Sequence, residues 1–171
     1  MKNICFCDSG KQFNKCCERL LSGSTNATTP KQLMRSRYTA YALGNYGEYL
    51  LSTWLPETAK GLTAESLSEK NLEWVKLEIL NSHQKGDAGT VEFKAYYKTE
   101  AGELNTLHEL SRFQRIKRIT TFHFIKKVVI VFSTFCGAII YRSYIISFTF
   151  SFFSFRFYHQ TVLGSTVSRK I

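Results

Sequence analysis

Four of the five cysteines in this chain of 171 residues fall within thirteen positions, as Cys5 and Cys7 followed by Cys16 and Cys17. Thiolates are soft ligands, and four of them at this spacing suit one zinc ion, which takes a tetrahedron of donors at ~2.3 Å per Zn–S bond. Four protein donors close the coordination sphere, so the expected ion is structural. Asp8-Ser9-Gly10 would turn the chain after the first pair, and Lys11-Gln12-Phe13-Asn14-Lys15 would bring the second pair back in a helical turn. Lys11 and Lys15 would offset the negative charge of a tetrathiolate, and Phe13 would shield one side. The rival chemistry is redox, because Cys16 and Cys17 are adjacent. A vicinal disulfide is strained, however, and no Cys-x-x-Cys beside a βαβ pattern accompanies it. Cys136 stands alone and is given no role.

The compartment bears on that choice. Met1-Lys2-Asn3-Ile4-Cys5 lacks the apolar run of ~7–15 residues that a secretory signal needs. The cysteines are therefore expected in the reducing cytoplasm, where close thiols point to metal rather than to structural disulfides.

A second set of residues could move protons. In the alternating stretch Leu104 to Gln114, Glu109 and Ser111 share one face with Leu107 and Phe113, while His108, Leu110 and Arg112 share the other. Glu109 or His108 could act as base, with Arg37 or Arg35 holding an anion. Neighbours in a strand point to opposite faces, so His108 and Glu109 cannot act side by side. The structural alternative, Glu109 pairing Arg35 or Arg37 to fix a helix on the sheet, is preferred. Tyr38, Tyr41, Tyr49 and Trp54 are expected as core aromatics.

The elements that must position these residues can be read from periodicity. Thr28-Thr29-Pro30 suits a helix start. Leu33, Met34, Tyr38, Tyr41, Ala42 and Leu43 recur at three-to-four spacing until Gly44-Asn45. Tyr46 to Trp54 predicts a second short helix, and Glu57 to Lys70 has room for a third. The period then changes to two. Trp74 to Ile79, Val91 to Lys98 and Leu104 to Gln114 predict strands, with His83 to Gly89 and Glu100-Ala101-Gly102-Glu103 as turns. Helices first and antiparallel strands afterwards predict an α+β domain with helices on one face of a curved sheet. Residues 21–29, including Ser22-Gly23-Ser24-Thr25-Asn26, are expected to be a flexible linker.

Net charge is +10, but residues 1–118 carry 17 Lys/Arg against 13 Asp/Glu, whereas residues 119–171 carry 6 Lys/Arg and no acid. The front region mixes its signs, which argues against nucleic-acid binding, a role left to Lys11, Lys15 and Arg19 as an alternative. Residues 119–171 hold ten of the fourteen phenylalanines and no Asp, Glu, Asn, Pro, Trp or Met. The uncharged runs 128–141 and 143–155 raise a membrane segment, yet each falls short of the ~20 residues of a span. An aggregation-prone β segment is a second reading. An out-of-frame or read-through tail is preferred, since the local signals of an evolved domain are missing there.

Cys5-Phe6-Cys7-Asp8-Ser9-Gly10-Lys11-Gln12-Phe13-Asn14-Lys15-Cys16-Cys17 resembles the SEC-C zinc knuckle, with Phe6 where Pro is common and Asp8 where Gly is common. Leu33 to Tyr41, Tyr49-Leu50, Thr53-Trp54 and His108 to Phe113 resemble the YchJ family of small bacterial proteins. That resemblance covers about residues 3–115. It implies a cone-like middle domain of the nuclear transport factor two-like fold, and it carries over no reaction. The expected organisation is a knuckle at 1–20, a linker at 21–29, an incomplete α+β domain at 30–118 whose closing strand is in doubt, and the aberrant tail at 119–171. The expected function is a zinc-binding adaptor whose knuckle meets a protein partner. The alternative is an isomerase- or hydrolase-like enzyme using the cone pocket.

Overall fold

The structure is a computed structural model that describes residues 3–70, 72–116 and 122–125 in full and only the backbone of 126–130, 134–135, 138–139 and 143–144. The chain opens on a miniature hairpin. Ile4 bridges Gln12 in the antiparallel sense, and the Cys5 and Phe13 amides donate to the Lys11 and Asn3 carbonyls, each at 2.8 Å. A 3-10 turn at Phe13–Lys15 leads into the four-residue helix α1 (Glu18–Leu21).

Helix α2 (Pro30–Leu43) starts where the sequence places it. Thr29 is the N-cap, its hydroxyl accepting from the Gln32 amide at 3.2 Å, and Pro30 occupies the first turn, where no amide hydrogen is missed. Gly44, at φ 74, ends it with a conformation that a Cβ would oppose. Helices α3 (Gly47–Ser52) and α4 (Ala64–Ser68) follow, the latter closed by a reciprocal Thr63–Ser66 capping box.

Strands β1 (Glu73–Lys85), β2 (Ala88–Lys98), β3 (Leu104–Arg115) and β4 (Phe122–Ile130) form an antiparallel meander in that order. The two-residue strand Ser143–Tyr144 pairs with β4, and Thr134–Phe135 pairs with Ala138–Ile139. Leu33, Met34, Tyr38 and Ala42 of α2 pack on Leu77, Val91, Phe93, Ala95, Phe113, Phe122 and Phe124 of the sheet. This is the α+β arrangement that the change of period predicts.

Three expectations need correcting. Residues 83–85 and 88–89 are strand, not turn, because β1 and β2 continue to the pair Lys85↔Ala88 around Gly86-Asp87. The far half of β1 is solvent-exposed on both faces, so the apolar alternation that marks a strand fades there. The segment 21–29 is not a loose tether. Leu21 and Ala27 are buried, and the Thr25 amide donates to the Arg19 carbonyl at 3.0 Å. One small apolar side chain among polar ones is enough to pin a short loop, and composition does not show it. Finally, the closing strand that the sequence left in doubt is present. β4 runs against β3 from Arg115↔Phe122 to Glu109↔Val129, and Phe122 and Phe124 are 0% and 2% exposed. The rest of the tail, including most of the proposed membrane segment at 128–155 and Cys136, lies outside the described residues. Among the described residues no helix is long and apolar enough to cross a membrane.

Candidate metal centre

The hairpin and the turn after it bring the four cysteines together. Their Sγ atoms all lie within 4.8 Å of one another, with Cys7–Cys16 at 3.6 Å and Cys16–Cys17 at 3.9 Å. A tetrahedron of ~2.3 Å bonds has edges of about 3.8 Å, so these separations fit a tetrathiolate ion. They far exceed the ~2.05 Å of a disulfide. Cys5, Cys7 and Cys17 are buried, Cys16 is half-buried, and Phe13 packs against the cluster.

The thiols also compete for protons. Hydrogen bonds from Cys17 and Cys5 pull the Cys7 thiol far below its ordinary range, while bonds with Cys5 and Cys7 push Cys17 up and burial pushes Cys16 up. Thiolates gathered this closely repel one another and need a cation to balance their charge. A divalent ion at the centre of the four would supply that cation.

The surroundings differ from those expected. Lys11 and Lys15 are exposed, and the charged side chain that reaches the knuckle is Arg35 of α2, whose Nη1 donates to the Cys7 carbonyl. Thr39, one turn further along the same helix face, places its hydroxyl 3.9 Å from Cys5 Sγ. Ser9 Oγ lies 3.3 Å from Cys16 Sγ. Arg35 and Thr39 escaped the sequence reading as partners of the metal site. Their i, i+4 spacing puts them on one helix face, but nothing local says that the knuckle lies there.

Asp8 is the clearest departure from the usual motif, and its geometry explains what it does. It adopts φ 56, in the left-handed region, and its Oδ2 accepts the Leu77 amide at 3.2 Å. Leu77 belongs to β1, the edge of the sheet, whose unpaired amides are a liability unless covered. The carboxylate thus ties the knuckle to an open edge, at the cost of a backbone conformation that glycine would take more readily. Asp8→Asn keeps an acceptor and tolerates the left-handed region, so its urea midpoint should match the parent. Asp8→Gly loses the tether but relieves the backbone, while Asp8→Ala loses the tether and keeps the strain. Asp8→Ala should therefore be the least stable, by about 1–2 kcal/mol relative to the parent. A measured order with Ala above Gly would contradict this account.

The proton-transfer candidates are placed very differently. His108 lies on the outer face, its Nε2 2.8 Å from Glu92 Oε1. Glu109 lies on the inner face at 1% exposure and accepts from Ser111 Oγ. Opposite faces separate the two, as strand geometry requires. Arg35 and Arg37 also diverge, since positions two apart on a helix face away from each other. Arg37 goes inward, is 2% exposed, and donates to the Leu50 carbonyl at 2.9 Å and to Thr53 Oγ1 at 2.6 Å. Its guanidinium sits 5.1 Å from the Trp54 ring and 4.7 Å from the Phe124 ring. Burial lowers its pKa, against the opposing influence of Tyr41, Tyr49 and Glu109. Arg37 is thus built into the interior, joining α2 to α3 and β4. A cleft of about 270 Å³ opens nearby between Asn26, Tyr49, Thr53 and His123, and neither Arg37 nor Glu109 lines it.

This arrangement makes Arg37 a stability determinant. Arg37→Ala strands buried polar partners and should cost about 3–5 kcal/mol in urea unfolding. Arg37→Lys should recover little, because an ammonium lacks the planar fork that reaches Leu50 and Thr53 while stacking on two rings. An Arg37→Ala protein of parental stability would show that the side chain serves another purpose.

Comparison with known proteins agrees with this architecture. The family profile described as "YchJ, middle NTF2-like domain" matches residues 29–125. The match runs past position 118, where the sequence reading ends the domain, into the first half of β4. A UPF0225 protein of Geobacter sulfurreducens is 39% identical over 121 residues, covering 68% of this chain and 74% of that protein. One from Serratia proteamaculans is 38% identical over 121 residues, covering 68% and 78%. The solution structure of a SEC-C motif containing protein from Rhodopseudomonas palustris superposes with a TM-score of 0.67 at 33% identity, covering 72% of this chain and 96% of that one. The fold of that structure and the cysteine cluster here agree with a SEC-C knuckle preceding the nuclear transport factor two-like domain.

Proposed function

The chain belongs to the YchJ family, and from that premise we propose that it is a zinc-binding accessory protein whose knuckle contacts a protein partner. The observation that carries the first half is the convergence of four cysteine Sγ atoms within 4.8 Å. Four thiolates and no other donor favour zinc or iron among common ions, and a closed four-donor site favours a structural ion over a reactive one. Free thiols at this density also call for a reducing compartment, which makes the cytoplasm the proposed location.

Support for a partner comes from the outer side of the hairpin. Ile4 and Phe6 are 50% and 49% exposed on the segment that carries Cys5 and Cys7. A small hairpin held by an ion can present two apolar side chains rigidly, and exposed aromatic residues at rigid sites are frequent binding anchors. The test has two arms. Elemental analysis of the purified chain should find one zinc per protein; iron or no metal would overturn the first half. A photo-crosslinking residue in place of Phe6 should give a discrete protein adduct in living bacteria, lost when Cys17→Ser is combined with it. Adducts indifferent to Cys17→Ser would overturn the second half.

A further inference from the structure

The knuckle's own residues supply its sulfur donors, but the atoms around them come partly from elsewhere. Thr39 is 0% exposed, and its hydroxyl lies 3.0 Å from the Arg35 carbonyl as well as 3.9 Å from Cys5 Sγ. Arg35 holds the Cys7 carbonyl, and Asp8 holds the Leu77 amide of β1. Three contacts from two elements of the middle domain thus converge on the knuckle, across separations of 28, 34 and 69 positions in sequence.

We propose that helix α2 is part of the metal centre, with Thr39 orienting the Cys5 thiolate and Arg35 orienting Cys7, so that metal binding and docking of the knuckle are one event. The inference rests on the zinc reading above and goes beyond it, since a self-contained knuckle would need no helix. The physical reason lies in the hydroxyl. It has one proton and two lone pairs. Against a neutral thiol it can accept and leave its proton on the Arg35 carbonyl. A metal-held thiolate offers only lone pairs, so the hydroxyl meets it as a donor and releases that carbonyl. Back-bonding from Thr to the carbonyl four residues earlier bends a helix slightly, so metal occupancy is felt along α2. Arg35 acts differently. Its cation lies beside a cluster that carries net negative charge when loaded, and its bond to Cys7 fixes the backbone from which that ligand projects. Both are positioning residues, since neither has an atom that binds the ion.

The experiment loads the full chain with Co2+ and reads the thiolate-to-cobalt charge-transfer band, then measures the zinc dissociation constant by competition with a chromogenic chelator. Thr39→Val should shift the band, and Thr39→Ser, which restores the hydroxyl, should return it. Arg35→Ala should raise the zinc dissociation constant about 10- to 100-fold, with partial recovery in Arg35→Lys. Should either larger change prevent folding, Thr39→Ala, which also lacks the hydroxyl, and Arg35→Lys still report, and a parental result in them counts against the inference in the same way. A parental band in Thr39→Val, together with a parental dissociation constant in Arg35→Ala or Arg35→Lys, would overturn the inference and leave the zinc reading standing. A parent chain that takes up no cobalt would overturn both.

Discussion

A chain ended after Arg118 is expected to lose cooperative unfolding, because it lacks β4. Phe122 and Phe124 are among the largest fully buried side chains. The Phe124 ring meets Trp54 edge-on at 4.3 Å and Phe113 at 5.6 Å, and it covers the Arg37 guanidinium. Its backbone is equally engaged: the Phe124 amide donates to the Thr53 carbonyl and the Leu55 amide donates to the Phe124 carbonyl, both at 2.8 Å. Losing one buried Phe costs about 3–5 kcal/mol, and a whole domain has only about 5–15 kcal/mol in hand. The shortened chain would also expose β3 as a fresh edge and leave Arg37 half uncovered. Near-UV circular dichroism should collapse and the urea transition should broaden, while Phe124→Ala in the full chain should remain folded with a lower midpoint. A sharp, parental transition in the chain ended at Arg118 would refute the role assigned to β4.

The reason this strand was hidden in the sequence is physical. A half-buried strand announces itself by alternation, and Phe122-His123-Phe124 is buried on both faces. It is also set within a run so rich in Phe, Ser and Ile that its two core aromatics do not stand out. By contrast, α2 was legible from end to end, because cap, proline, apolar stripe and terminal glycine all agree there. The four cysteines were legible for a simpler reason: soft donors are scarce, and their spacing alone constrains what they can do. What spacing could not reveal is long-range. Asp8 bonding to Leu77, Arg35 to Cys7 and Arg37 inward to Leu50 and Thr53 all depend on how separate elements dock. Each is a charged residue whose partner is a backbone or hydroxyl group. Charge-pairing arguments that look for oppositely charged side chains pass such contacts by.

Removing one ligand should show whether the knuckle is an ornament or a structural part. Cys17→Ser is the most informative choice, since Cys17 is 1% exposed and leads directly into α1, where Leu20 and Leu21 are buried. A serine oxygen is a poor substitute for a thiolate in such a site, and the protein should purify without a stoichiometric ion. In zinc-finger peptides the ion supplies apparent binding energies of about 10–16 kcal/mol, which there is the energy of folding itself. Here the sheet and α2 have their own core, so the loss should be local. Amide exchange should accelerate throughout residues 3–21 and at Leu77, whose amide loses its carboxylate partner, while Val91, Phe93 and Phe113 at the centre of the sheet stay protected. Treating the parent chain with a strong chelator should reproduce the same pattern, and adding zinc back should reverse it only in the parent. Full zinc retention by Cys17→Ser would dismiss Cys17 as a ligand. Unchanged protection after chelation would dismiss the ion as a structural element, because a knuckle that stays docked without metal owes its position to Asp8 and Arg35 alone.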